Sequence, residues 1–469
     1  MWLYQVYLQE VNRVLGIPSA ILYLIALLLF VAILFVWFKR PMYEVMTLSF
    51  VFIVIITNSF DLFWESLLYP STSTLFYAIF AFMAVAVIFD ATKVVNGIIH
   101  LMLAIIGRFK GGAGYVALLS STFMSSLSGS GPGNVATTGV FTIPMMKRSN
   151  FPPALAASVE MSSSMLGNII PPSGIVILTY GILNDVYPDS ISLSGWMVVA
   201  YGVGLWFFVQ RWLTLWALCK LYKVEPVSTK ELPGFKESLA KGWPALVLPV
   251  LIFIPLLADS NFKDFIIGRI GEEGASAYSS SVLMFTPGLA GAYAIAIGRK
   301  ALPSSRINWK NIVDIFKDSL LKVVPIGVTI YMAYAISQVF IGLQMNDAVR
   351  DWVLSFGLNQ VAIIIILPIF FMILGMVLPG SAQVAILGSA MIAVFSSIGG
   401  DPVLLAALLP AMTGALEGMT PPLALGLYVA MGIAGSSFTQ TAKFAMVWVV
   451  LHVLLSIILL TGILPIIGL

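Results

Sequence analysis

The sequence predicts an all-α polytopic membrane protein made of inverted repeats, each with a re-entrant helical hairpin and a transmembrane helix broken at Pro-Pro. Three observations predict it. The 469 residues are 59% hydrophobic and only 10% charged. Basic residues gather on one side of an alternating list of spans. A block rich in glycine, proline and hydroxyls near residue 130 has a partner about 250 residues further on.

A span needs roughly 20 apolar residues. Such runs recur at 18–38, 73–89, 194–218, 243–258, 278–298, 323–343 and 444–466. A soluble domain of this length is excluded by so little charge. The first 17 residues lack a basic n-region and a small-residue cleavage site, and the apolar run behind them is too long for a signal-peptide core. We therefore expect it to be retained as a span. The one cysteine, Cys219, excludes an intrachain disulfide and a cysteine metal cluster. Two histidines, His100 and His452, leave little for imidazole chemistry. The net charge of +3 gives no argument for nucleic acid, and none is expected as a partner.

The charges order the spans. With Lys39 and Arg40 placed inside, each span flips the side. The span at 43–60 leads to an outer loop with Asp61 and Glu65, and the span at 73–89 returns to Lys93, Arg108 and Lys110. Lys147 and Arg148 also fall inside if 112–147 enters and leaves by one face. A span over 152–183 exits to the acidic stretch NDVYPDS, and 194–218 returns to a lysine-rich loop that includes Lys230. The span at 243–258 exits to a loop with Glu272 and Glu273, and 278–298 returns to Arg299, Lys300 and Arg306. The span at 323–343 exits; a second same-face excursion at 360–396, a span at 402–434, Lys443 inside and a last span at 444–466 complete the chain. Of the 24 basic residues, 19 fall inside and four (Arg13, Lys263, Arg269, Arg350) outside. Arg211 lies within a span near its inner end, where it is expected to snorkel. Both termini are then extracytoplasmic.

A repeat emerges when the chain is shifted by 250 residues, which lays 151–172 on 401–422. Pro152/Pro402, Leu155/Leu405, Ala156/Ala406, Ala157/Ala407, Leu166/Leu416, Pro171/Pro421 and Pro172/Pro422 coincide. A shift of 249 aligns the hairpins through Gly131/Gly380, Val135/Val384, Ala136/Ala385 and Gly139/Gly388, with Asn134 opposite Gln383. Five crossings separate the copies, and an odd number inverts one against the other. Inverted repeats with broken helices are the architecture of secondary transporters. The expected organisation is a two-span scaffold segment at 1–72 and a first repeat at 73–222, with its hairpin at 112–147 and broken helix at 152–183. Connecting spans and loops follow at 223–322, then a second repeat at 323–469, with its hairpin at 360–396 and broken helix at 402–434. Amphipathic segments at 91–107 and 308–319 are expected either to lie along the membrane surface, linking scaffold to moving part, or to be plain connectors.

Each Pro-Pro removes N–H donors and frees carbonyls one turn back: Gly167 and Asn168 in the first copy, Glu417 and Gly418 in the second. Bare carbonyls in hydrocarbon need partners, and a small hard cation is one. The hairpin tips add Ser128, Ser130 and Asn134, and Ser381 and Gln383, with Ser163, Thr413 and Thr420 nearby. The plainer reading is a packing kink capped by Ser/Thr side chains. Glu160 and Glu417 are the acids well inside spans, where a carboxylate suggests function. Glu160 has a second reading, a place in a cytoplasmic vestibule. Glu417, one turn before its break, is expected at an ion site or a proton-linked one. No Lys or Arg lies in the hairpins or beside the breaks, so an anionic substrate is expected to meet hydroxyls, amides, bound cations and helix N-termini such as Gly133–Asn134.

The runs SGSGPGNVATTGVFTIPMMKRSNFPPALAASVE, PPSG, LPGSAQVAILGSAM and PPLALGLYVAMGIAGSS resemble the large membrane subunit of the tripartite ATP-independent periplasmic transporters. The branch often fused to its small subunit is the most similar. The resemblance covers about residues 73–469. It implies a sodium-driven, elevator-type importer of organic anions in the bacterial inner membrane. It also implies a soluble extracytoplasmic binding protein and a small four-helix membrane subunit as partners. That subunit is expected as a separate chain or to be absent, since only two spans precede residue 73. Sodium is expected at two or more sites, with no organic cofactor. The resemblance places ion and substrate at Ser128–Asn134 with Gly167–Pro172, and at Leu378–Gln383 with Glu417–Pro422. Ser128, Ser130, Asn134, Gly167, Asn168, Pro379, Gly380, Ser381, Glu417 and Gly418 are the expected ion residues. Gly131, Gly133, Thr137, Ser163, Gln383, Thr413 and Thr420 are the expected substrate residues. Where the branch often has Gly-Gly-Gln before the double proline, this chain has Leu166-Gly167-Asn168, with a shorter amide. Two other functions fit parts of the same sequence: a self-sufficient sodium–carboxylate symporter, and an intramembrane serine protease with Ser130 as nucleophile and His452 as base.

Overall fold

The computed structural model describes residues 17–228, 232–302, 309–421 and 423–469. Arg13, Lys230, Arg306 and Pro422 of the readings above lie outside the described residues. The described chain is helical throughout its length. The helices are α1 Ser19–Ala32 (continued as a π-helical turn, Ile33–Trp37), α2 Met42–Thr57, α3 Phe63–Thr72, α4 Thr74–Thr92, α5 Val94–Ile106, α6 Gly112–Ser128 and α7 Gly131–Arg148. There follow α8 Pro153–Leu166, α9 Gly174–Val186, α10 Leu193–Leu221, α11 Phe235–Asn261 and α12 Lys263–Gly298. The last seven are α13 Trp309–Gly342, α14 Met345–Ser355, α15 Gln360–Leu374, α16 Gly380–Ser397, α17 Pro402–Met412, α18 Leu425–Ala434 and α19 Phe438–Leu460. Among the described residues, nine helical stretches are long and apolar enough to cross a membrane.

Local chemistry sets several boundaries. Pro153 and Pro402 open α8 and α17, where a missing N–H costs nothing. Asp401 caps α17 by accepting from Val403 N at 2.8 Å, and Asn359 caps α15 by accepting from Ala362 N at 2.9 Å. Gly129 ends α6 at φ 64°, a left-handed turn that reverses the chain within two residues.

The order of α4–α10 recurs as α13–α19. The packing is exchanged between the copies. α7 lies against α18 and its counterpart α16 against α9; α8 lies against α19 and α17 against α10. The flanking helices follow suit: α11 and α12 cover α5 and α4, while α1 and α2 cover α14 and α13. The same pattern of packing partners thus recurs in the two halves of the chain, over more residues than the sequence identities mark.

Hairpin one enters and leaves at one end. Gly107 O, just before α6, accepts from Val227 N at 3.0 Å. Ser149 O, just after α7, accepts from Glu225 N at 3.1 Å on the same extended segment. Segments read as cytoplasmic meet elsewhere too, since one surface depression is lined by Lys93, Lys241 and Lys300 together. At the other end Asp185, on the last turn of α9, accepts from Tyr69 Oη of α3 at 2.8 Å and Gln338 Nε2 of α13 at 3.1 Å. Tyr69 and Asp185 come from segments read as outer, and Gln338 from the outer end of the span read at 323–343.

Four expectations change. The segment 308–319 is no separate surface helix: from Trp309 it continues into the span as α13. The expected loop with Glu272 and Glu273 is helical, interrupted at Gly271 (φ 74°, ψ 174°). α14 was not expected; it meets α15 at 119° and occupies in the second copy the place of α5 in the first. Arg211 does not snorkel. It is 1% exposed and bonded inside the protein.

The outer tie is testable. A hydrogen bond to a charged group contributes about 1.5–3 kcal/mol. Asp185→Ala should lower the melting temperature in detergent, and Asp185→Asn should recover part of the loss. An unchanged melting temperature in Asp185→Ala would remove this tie from the account of the fold.

Candidate ion and substrate site

The two breaks lie together. α8 ends at Leu166, a 3-10 turn covers Gly167–Ile169, and a cis Pro171–Pro172 peptide precedes α9. Asn168, 4% exposed, reaches across to the second break, where its Nδ2 donates to Gly414 O at 2.9 Å. Hairpin two lands on the same residue. A methyl group added at Gly380 would come within 2.4 Å of Gly414 Cα. The first break is as tightly covered by its own hairpin arm, since a methyl at Gly167 would sit 2.4 Å from Ser125 Cβ and 2.5 Å from Ser126 N. Met165 fills the remaining centre, touching Gly131 of the first tip and Gly418 and Gly426 of the second break. An unbranched, flexible thioether suits such an irregular gap.

The freed carbonyls are partly answered within the chain. Gly167 O takes Ile170 N at 3.2 Å and Gly418 O takes Leu427 N at 3.2 Å. The bare acceptors are elsewhere. Asn168 Oδ1 and Gln383 Oε1 are buried and have no hydrogen-bond partner. Their orientation follows from the partners of the amide nitrogens: Asn168 Nδ2 faces Gly414 O, and Gln383 Nε2 donates to Leu378 O at 2.8 Å. A carbonyl only accepts, so in both side chains the oxygen is the end left over. Ser125 Oγ and Ser173 Oγ, also buried near the first break, have no partner either. Among the described residues no group of three His, Cys, Asp or Glu stands ready for a metal. The available donors are neutral oxygens, a set that fits a hard monovalent cation and not a soft transition metal.

The other candidates are placed as follows. Ser130 Oγ caps α7, accepting from Gly133 N at 3.2 Å, and Ser128 Oγ accepts from Ser130 N at 3.4 Å. Asn134 is not at an open tip. Its Nδ2 lies 3.0 Å from Ser121 O, 3.2 Å from Thr138 Oγ1 and 2.8 Å from Ser164 Oγ. These hydroxyls serve Glu160. Its carboxyl receives Ser121 (2.8 Å), Thr138 (2.7 Å), Thr142 (2.6 Å) and Ser164 (3.1 Å), and at 0% exposure it faces no vestibule. Glu417 accepts from Gly380 N at the start of α16, where the helix dipole favours a carboxylate. Pro379 is the N-cap of α16, and Ser381 sits half-buried in its first turn. The Ser163 and Thr413 hydroxyls donate to Val159 O and Leu409 O of the helices they extend from, and the Thr420 hydroxyl donates to Leu416 O within the segment that joins α17 to α18. All three are buried, and so is Gln383, which groups with the ion candidates and not with an accessible substrate face.

Two predicted substrate residues reach open space: Gly133 is exposed at the tip, and Thr137 faces a cavity. Thr137 lines a cavity of about 290 Å3 between the α4–α5 corner and hairpin one, with Asp90, Lys93, Asn96 and Phe141. A second cavity of about 470 Å3 shares Asn96, Ile99 and Phe141 and continues past His100 to Arg148. The crevice thus runs from the hairpin to the lysine-bearing end. Its basic residues were visible in the sequence; their alignment depends on α5 packing beside α6. Arg211, Met165 and Gly414 were missed, because each acts through residues far away in the chain.

Ser130 and His452 do not form a catalytic pair. The Ser130 hydroxyl is a helix cap, and His452 is 0% exposed between Arg211 and Ala411.

The chain is similar to known membrane permeases in sequence and in fold. The chain is 24% identical over 359 residues to the C4-dicarboxylate TRAP transporter large permease protein DctM of Pseudomonas aeruginosa, covering 76% of each. It is 22% identical over 384 residues to the isethionate TRAP transporter permease protein DctMQ of Oleidesulfovibrio alaskensis, covering 82% of this chain and 56% of that one. The fold is similar to that of the Alcanivorax borkumensis YdaH transporter (TM-score 0.61, 13% identity, 92% of this chain and 98% of that one). The family described as "Tripartite ATP-independent periplasmic transporter, DctM component" matches residues 15–465. The chain belongs to that family and is a multi-pass membrane permease, not an enzyme.

Proposed function

We propose that this chain imports an organic anion across the bacterial inner membrane, driven by sodium. A soluble extracytoplasmic protein delivers the substrate, and a separate small four-helix membrane subunit braces the scaffold. The observation that carries the ion half is the pair of buried, partnerless amide oxygens, Asn168 Oδ1 and Gln383 Oε1. A bare amide oxygen in a membrane interior is costly. A sodium ion is the partner that neutral oxygens would take.

The substrate half rests on charge. The crevice beside Thr137 carries Lys93, His100 and Arg148 with one acid, Asp90. The two relatives above are named for a C4-dicarboxylate and for isethionate, a sulfonate. Negative charge is what such solutes share. The lysine-rich end is the cytoplasmic one by the excess of basic residues. The crevice is then an inward exit, the copies are inverted across the membrane, and both termini lie outside. Both hairpins and both broken helices pack on one another, while α1–α2 and α11–α12 flank them. The inner block is the part that moves, as in an elevator, against those flanking helices.

Reconstitution tests the reading. The chain, its small subunit and a binding protein carrying the solute should give uptake that depends on an inward sodium gradient. Uptake without sodium would end the ion half, and uptake by the chain alone would end the tripartite half. Asn168→Ala and Gln383→Ala each remove one ligand. A loss of about 1.4 kcal/mol corresponds to tenfold in affinity, so half-maximal sodium should rise about tenfold in each. Unaltered sodium activation in both variants would withdraw the site.

Close backbone contact gives a second test. Gly380→Ala drives a methyl into the Gly414 backbone, whereas Gly432→Ala meets open space. Uptake should be abolished in the first and retained in the second. Equal activity in both would show that the tip of hairpin two does not seat on the break.

A further inference from the structure

A buried cation and a buried imidazole join the two broken helices from outside the ion cluster. Arg211 on α10 is 1% exposed, and His452 on α19 is 0% exposed. Arg211 Nε donates to Ser162 O of α8 at 3.1 Å. Its Nη1 donates to Gln210 Oε1 at 3.2 Å, and its Nη2 lies 3.1 Å from His452 Nδ1. His452 Nε2 lies 2.9 Å from Ala411 O of α17, and Phe207 stacks on the imidazole at 4.2 Å.

The partners dictate the tautomer. Guanidinium has only donors and a carbonyl only accepts. Nδ1 must therefore be the bare acceptor, and Nε2 must carry the hydrogen. An imidazolium would point an N–H at the guanidinium.

The carbonyl held by His452 is one the second break leaves free. In an unbroken helix Ala411 O would take Ala415 N, but Ala415 N turns to Pro410 O at 3.2 Å. His452 replaces that donor. Ser162 and Ala411 both lie near the C-terminal ends of their half-helices, Leu166 and Met412. Those ends carry the negative pole of the helix dipole. Among the described residues Arg211 pairs with no carboxylate, so this double contact is where its charge is answered.

We infer that Arg211 and the neutral, Nε2-protonated form of His452 are a positioning pair that fixes the second half-helix against the first and so sets the spacing of the ion-binding oxygens. Neither residue touches the ion or the substrate. The uptake arm of the test rests on the sodium reading above; the spectroscopic arm does not.

Glutamine can copy the histidine, with its amide N–H toward Ala411 O and its oxygen toward Arg211. Leucine fills similar space and does neither. In reconstituted transporter, His452→Gln should keep the wild-type sodium requirement. His452→Leu should raise half-maximal sodium about tenfold, with maximal uptake at saturating sodium largely kept. Arg211→Lys keeps the charge but loses the fork, and it should show the same rise even if His452→Leu fails to assemble. Assembled His452→Leu or Arg211→Lys with wild-type sodium activation would overturn the inference. Impairment of His452→Gln equal to that of the leucine variant would do the same. If wild-type uptake ignores sodium, the sodium reading falls, and the imidazole 15N spectrum decides for the pair. With only two histidines in the chain, His100→Gln leaves His452 as the single labelled ring. Its signals should show a protonated Nε2 and a bare Nδ1 at neutral pH, with the Nδ1 signal shifting in Arg211→Lys. An Nδ1-protonated ring, or a ring indifferent to Arg211→Lys, would exclude the arrangement.

Discussion

A helix broken inside a membrane must find new partners for the backbone groups it frees, and this requirement organises the centre of the molecule. Proline removes a donor and leaves a carbonyl behind, and hydrocarbon offers no water to replace it. Here the answers come from several distances. Gly167 O is satisfied three residues away by Ile170, and Gly418 O nine residues away by Leu427. Gly414 O is satisfied from the other copy by Asn168, and Ala411 O from α19 by His452. Because Asn168 answers Gly414 O from the other copy, the second break depends on the first. Duplication of the breaks and their meeting at one place are two sides of one constraint.

The hairpins are anchored to the breaks by the same logic, with different chemistry in each copy. Each broken segment supplies an acid to its own hairpin. Glu160 of α8 gathers hydroxyls from α6 and α7 and from its own helix, so hairpin one is held along its length. Glu417 holds hairpin two only at its tip, through Gly380 N at the start of α16. The two acids do not coincide under the 250-residue shift. The copies therefore share their helix plan and glycine contacts but diverge in how each hairpin is fixed. Two arms stapled together and one arm pinned at its end differ in freedom.

Much of this plan was legible in the chain, for reasons that apply residue by residue. Apolar length marked α1, α4, α10 and α19 because each crosses unbroken and meets lipid on one side. The serine–glycine tip and the paired prolines marked both hairpins and both breaks, since no continuous helix tolerates them. What escaped depends on contacts distant in sequence. Arg211 sits near a span end, where snorkelling is the local expectation; only the approach of Ser162 and His452 makes burial preferable. Asn168 and Gln383 are plain amides in the sequence, and their bare oxygens exist only because Gly414 O and Leu378 O claim the nitrogens. α14 is too short and too polar for a hydropathy signal. Its identity comes from standing where α5 stands.

The charge balance at the centre connects this architecture to coupling. Both intramembrane carboxylates are engaged internally, Glu160 by hydroxyls and Glu417 by a helix N-terminus. The oxygens left for an ion are neutral. On the sodium reading, a site of neutral ligands would gain a full positive charge for each cation it takes up. A charge left uncompensated in a low-dielectric interior is expensive to move. An arriving anion lowers that cost, and the cation lowers the cost of the anion by the same amount, because coupling between two ligands is reciprocal. Had carboxylates lined the ion site, cations alone would have neutralised it, and the energetic reason for the two cargoes to travel together would have been weaker. On the proposed sodium reading, neutral amides at the breaks, with the acids turned aside to hold the hairpins, would let the ion gradient act through the substrate's charge.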